Sequence, residues 1–157
     1  MAPQQSKYAP SRRKVIASGL AVTTASLLHS PTRAEVEELT KTIFEITRGA
    51  LPRYGRVKLT LPELAENGNL VSLLVNVDSP MTTDDYVKTI YIFAEKNPLV
   101  IVARFHLTPR AGRARVRSNI RLATTQQVVA LAEMSDGTFW QGGSSVIVTL
   151  AACIDGG

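Results

Sequence analysis

From Val57 onward, apolar residues recur two positions apart, and this period restricts the fold more than any other feature of the chain. Val57, Leu59 and Leu61 open the pattern, and Val71, Leu73, Val75 and Val77 continue it. A spacing of two sends alternate side chains to opposite faces of an extended strand. Between these runs lies Glu66-Asn67-Gly68-Asn69, a hairpin signal because Asn-Gly tolerates positive φ. Further strand-like runs cover 86–94, 99–107, 113–122, 127–134 and 144–150. The breaks between them hold Asn97-Pro98, Pro109 with Gly112, Thr124-Thr125 and Ser135-Asp136-Gly137, all of it turn chemistry. No helical segment separates the runs, which rules out a βαβ arrangement. About seven short strands at this spacing predict an all-β, immunoglobulin-like sandwich. Phe93, Phe105, Phe139 and Trp140 are read as core or near-core aromatics, and Gly142-Gly143 as a bulge or turn.

The period is different before residue 57. Over 35–48, Val36, Leu39, Ile43 and Ile46 fall at helical spacing with acids crowded at the start, which suits the helix dipole. Gly49 and Pro52 close this short helix, the only one expected.

Residues 1–34 have the parts of an export signal: a charged start, an apolar stretch over 15–28, and a small-residue exit at Thr32-Arg33-Ala34. The stretch contains Ser18, Gly19, Thr23, Thr24 and Ser26 and falls short of the roughly 20 apolar residues that span a bilayer. Ser11-Arg12-Arg13-Lys14-Val15-Ile16 fits the twin-arginine pattern, so a periplasmic destination by that route is expected. Charge supports the division. Lys7, Arg12, Arg13, Lys14 and Arg33 all lie in this leader and no acid precedes Glu35, so residues 35–157 are formally neutral although the whole chain carries +5. The basic character belongs to the leader, and neither a nucleic-acid nor a membrane partner is expected. The organisation expected is a leader over 1–34, a sandwich domain with its helix over 35–150, and a C-terminal arm over 151–157.

Beyond the leader there is one histidine, His106, and one cysteine, Cys153. A zinc site needs about four Cys, His or carboxylate ligands. A nucleophile also needs a base beside it, so neither a metal centre nor a triad can be built. Asp84 and Asp85 are adjacent, which makes them a poor acid/base pair, and they read as part of a loop. Two features remain. Between Glu95 and Glu133 there are no acids, and Arg113, Arg115, Arg117 and Arg121 take odd positions, which aligns them on one sheet face. Such a face is a solvated surface, a guarded sheet edge, or a docking stripe for an acidic protein partner. Cys153 stands fifth from the end, past the last strand. An unpaired thiol in an exported protein is buried and inert, linked to another molecule, or a working thiol.

Over 57–153 and in its leader, the chain resembles the SoxY family of thiosulfate-oxidation proteins. The resemblance rests on Leu61-Pro62-Glu63-Leu64-Ala65-Glu66-Asn67-Gly68, on Val77-Asp78-Ser79-Pro80-Met81-Thr82 with Asp84-Asp85-Tyr86-Val87, on Ile92-Phe93-Ala94-Glu95-Lys96-Asn97-Pro98, and on Ala132-Glu133-Met134-Ser135-Asp136-Gly137. It implies a non-enzymatic carrier paired with a SoxZ-like subunit. Sulfur is held covalently on Cys153, at the end of an arm formed by Ala151, Ala152, Ile154, Asp155, Gly156 and Gly157, with no cofactor beyond that bound sulfur. The implied partners are a c-type cytochrome, a manganese hydrolase and a sulfane dehydrogenase. An adaptor subunit that uses Cys153 only for an intersubunit disulfide is the alternative. The family's arm usually reads Gly-Gly-Cys-Gly-Gly, and this one does not. Ala151-Ala152 narrows backbone freedom, Ile154 is bulky, and Asp155 disfavours a thiolate through like-charge repulsion.

Overall fold

The computed structural model describes residues 33–152. The leader lies outside the described residues except for its last two positions, and so do Cys153, Ile154, Asp155, Gly156 and Gly157. The elements are α1 (Arg33–Ile46), β1 (Val57–Thr60), β2 (Leu64–Ala65), β3 (Val71–Val77), β4 (Val87–Ala94), β5 (Ile101–His106), β6 (Arg115–Ile120), β7 (Gln126–Met134) and β8 (Phe139–Val148). Two sheets form, one ordered β1-β3-β6 and the other β2-β8-β7-β4-β5. This is the expected sandwich, with β2 as an added strand of two residues.

The alternation explains the layers. In β3, Val71, Leu73, Val75 and Val77 face inward, and Ile90, Ile92, Ala130, Ala132 and Val146 meet them from the second sheet. Full burial of each larger aliphatic side chain contributes about 1.5–3 kcal/mol. The second sheet is apolar on its other face as well, because α1 covers it there. Leu39 packs with Phe93, Leu131 and Phe139, with Ile43 and Ile46 at the margin. The helix begins two residues before the expected start and ends in a left-handed turn. Arg48 and Gly49 have φ of 54° and 83°, and the Gly49 amide donates to the Phe44 carbonyl at 2.9 Å.

Two local expectations are corrected. β1 and β3 are antiparallel neighbours, with Val57 opposite Val77, but no tight hairpin joins them. The chain between them detours across to the other sheet, where β2 runs parallel to the end of β8, with Leu64 opposite Ile147. Gly68 accordingly is not among the residues with positive φ. The second correction concerns Gly142-Gly143, which is no turn. β8 starts at Phe139, and the two glycines pair with Ala130 and Val129 in mid-strand. A Cβ on Gly142 would lie 2.4 Å from the Val57 carbonyl oxygen, so glycine is what lets β1 cross so close to β8.

Candidate functional site: the root of the C-terminal arm

Where β8 ends, the chain is gripped from two sides. On one side the detour after β1 receives it: the Ile147 amide donates to the Glu63 carbonyl (2.9 Å), the Thr149 amide to Ala65 (3.1 Å), and the Gly68 amide to the Leu150 carbonyl (2.7 Å). The Thr149 hydroxyl donates to the Glu66 carbonyl at 3.0 Å. On the other side stands the segment after β6. The Leu122 amide donates to Gly68 (2.8 Å), and the Leu122 carbonyl accepts the Ala152 amide (3.1 Å). The Val148 amide donates to the Thr125 hydroxyl at 2.9 Å.

Gly68 is the point where the three strands of chain converge. A Cβ there would meet the Leu122 carbonyl oxygen at 2.4 Å and the Ala152 nitrogen at 2.8 Å. Its glycine is required by close approach, not by backbone conformation.

A buried polar node holds the Leu122 side in place. Asn97 donates from Nδ2 to the Arg121 carbonyl (2.9 Å), and its Oδ1 accepts the Ala123 amide (3.0 Å) and Gln126 Nε2 (2.9 Å). Gln126 Oε1 accepts the Lys96 amide at 2.8 Å. Gly68, Leu122, Asn97 and Gln126 are supporting residues that sequence reasoning does not assign. Asn97 stands there as turn chemistry before Pro98 and within a stretch that carries the family resemblance, and nothing local marks its side chain as a bridge.

Of the six expected arm residues only Ala151 and Ala152 are described, and they differ. Ala151 is exposed, whereas Ala152 is 8% exposed and hydrogen-bonded. The described chain is therefore secured up to the residue immediately before Cys153.

Arg115 and Arg117 lie on the outer face of the three-stranded sheet, opposite Asn76 and Leu74, and Lys58 is opposite Asn76 on the far side. Arg113 precedes β6 and Arg121 follows it, both exposed. The four arginines thus follow one edge strand, although only two sit within it. The ion pairs formed among the described residues are Arg56–Asp85 and Lys88–Glu133. None of the four arginines, nor Lys58, has a carboxylate within 4.0 Å among those residues.

His106 is exposed on β5, with Nδ1 3.2 Å from the Thr89 hydroxyl. No group of three or more His, Cys, Asp or Glu able to hold a metal occurs among the described residues, and no described helix is long and apolar enough to cross a membrane. At the opposite end of β8, the guanidiniums of Arg56 and Arg53 lie 5.0 and 5.9 Å from the Trp140 ring centroid. Nearby, Thr138 donates from its hydroxyl (2.7 Å) and its amide (2.8 Å) to Asp136, and these bonds, with Arg56 and Arg53 adding to them, hold that carboxyl below its ordinary value.

A solved structure of the sulfur carrier protein SoxY from Chlorobium limicola f thiosulfatophilum matches with a TM-score of 0.59 and 27% identity, covering 73% of this chain and 99% of that one. Superoxide reductases are similar in fold. The neelaredoxin from Ignicoccus hospitalis (TM-score 0.52, 18% identity) covers 60% of this chain and 80% of its own, and a putative one from Thermotoga maritima (0.51, 19%) covers 62% and 87%. A search of curated proteins returned no match. The family model for the sulfur oxidation protein SoxY matches residues 44–153, ending on the cysteine, and the chain belongs to the SoxY family.

Proposed function

We propose that this protein is a periplasmic, non-enzymatic carrier that holds thiosulfate-derived sulfur covalently on Cys153. The observation that carries the reading is the position of the cysteine: the family match runs to Cys153, and the chain has no other. A single thiol cannot close an internal disulfide, and it is attached directly beyond a secured root.

The chemistry balances with a c-type cytochrome as oxidant. The Cys153 sulfur and the outer sulfur of thiosulfate form an S–S bond, the thiol proton passes to water, and two electrons leave to the cytochrome. Attack of water at the terminal sulfonate then transfers oxygen to the departing sulfate and leaves a persulfide on Cys153. A manganese hydrolase performs this step, and a sulfane dehydrogenase oxidises the remaining sulfur. The sandwich supplies the body that these enzymes and a SoxZ-like subunit grip, and the arginines along β6, with no carboxylate within 4.0 Å among the described residues, fit an acidic partner surface. Export through the twin-arginine leader delivers the folded chain to the periplasm.

The test is Cys153→Ser in the mature chain with a SoxZ-like subunit. Thiosulfate-dependent reduction of the cytochrome is expected to vanish while circular dichroism stays unchanged. Undiminished reduction contradicts the carrier reading. A stoichiometric disulfide-linked dimer on a non-reducing gel of the active preparation favours the adaptor instead.

A further inference from the structure

The root of the arm is ringed by exposed apolar side chains. Leu64, Leu70, Ile147 and Leu150 are between 53% and 67% exposed, a cost that a free surface does not require of four neighbouring positions. Their proximity follows from the backbone. Leu64 and Ile147 are register partners, Leu64 and Leu70 line one shallow depression, and the Leu150 carbonyl accepts the amide of Gly68, two residues from Leu70.

Reach identifies the occupant. Ala152 is buried and its amide is bonded to Leu122, and the thiol-bearing residue is the next one in the chain. A cleft that takes in the Cys153 sulfur therefore has to bring its rim down onto the residues around Ala152. We propose that Leu64, Leu70, Ile147 and Leu150 form a docking collar for the apolar rim of the enzyme cleft that receives Cys153, an inference that rests on the carrier reading. An apolar centre with polar surroundings is the usual composition of a protein–protein contact. The exposed carboxylates of Glu63 and Glu66 lie in the same segment and disfavour an anionic lipid surface as occupant.

The experiment compares wild type with Leu70→Ser/Ile147→Ser and with Leu64→Ser/Leu150→Ser in the full mature chain, each checked for an unchanged circular dichroism spectrum. Alkylation of Cys153 by iodoacetamide reports the thiol alone and is expected to stay within about twofold of wild type. Conjugation of thiosulfate by the oxidising cytochrome is expected to fall about tenfold in kcat/KM, through KM. Conjugation equal to wild type in both variants overturns the collar and leaves the carrier reading standing. No conjugation of the wild type overturns the carrier reading and the collar with it. A wild-type dimer on sedimentation that both variants disperse assigns the patch to a second copy of the chain, which also overturns the collar.

Discussion

The carbonyl of Leu122 receives the amide of Ala152 at 3.1 Å, so the residue before the cysteine is stitched to the segment that leaves β6. With the bonds of Thr149 and Leu150 to Ala65 and Gly68, it holds the last described residues against the sandwich.

Gly68→Ala is expected to disturb this stitch most. The added Cβ would lie 2.4 and 2.8 Å from two backbone atoms that have no side-chain freedom to retreat. A loss of about 1–3 kcal/mol is expected, read as a fall in Tm, together with faster alkylation of Cys153 as the root loosens. Unchanged stability would mean that the three segments do not converge as described.

Asn97→Ala removes the node beneath Leu122. It leaves the Arg121 carbonyl, the Ala123 amide and Gln126 Nε2 without the partner that Asn97 supplied. A cost of about 2–3 kcal/mol is expected in urea denaturation, because buried polar groups stripped of a partner bear their desolvation cost.

Arg115→Glu/Arg117→Glu is expected to leave stability within about 0.5 kcal/mol, since neither side chain makes an ion pair among the described residues. Association of wild type with its partner proteins should weaken as salt rises, and the doubly reversed chain should bind weakly at all ionic strengths. Aggregation of the variant with unaltered partner binding would instead assign the arginines to guarding the edge strand.

Asp136 titrates below its ordinary value in the folded chain, chiefly through the hydroxyl and amide of Thr138. A depressed folded value means that these bonds stabilise the turn above the unfolded carboxyl value, and that the contribution is lost as pH falls through the folded one. The group is almost fully exposed, so the effect on global stability is small. Carboxyl NMR should give a midpoint below that of a model aspartate, and Thr138→Val should raise it.

How much of this was legible in the sequence follows from what is local. The alternation of Val71, Leu73, Val75 and Val77 is a property of one strand against one core, and it announced the sandwich correctly. The spacing of Leu39, Ile43 and Ile46 likewise announced the helix and its buried face. Strand β2 was invisible because two residues carry no period and their partner, Ile147, is distant in the chain. Gly142 reads as a bulge or turn from the sequence because the reason for its glycine, the Val57 carbonyl, belongs to another strand. At the site, a lone cysteine near the end was plain, but its anchorage was not. The bonds among Gly68, Leu122 and Ala152 join three remote segments through backbone groups that every residue possesses.

The central claim is that sulfur travels on Cys153, and the mass of the C-terminal proteolytic fragment tests it most directly. After incubation of the mature protein and its SoxZ-like subunit with thiosulfate and the oxidising cytochrome, the fragment should gain the mass of one thiosulfate moiety, removable by a reductant and absent from Cys153→Ser. An unmodified fragment, with the cytochrome confirmed active, would contradict the account.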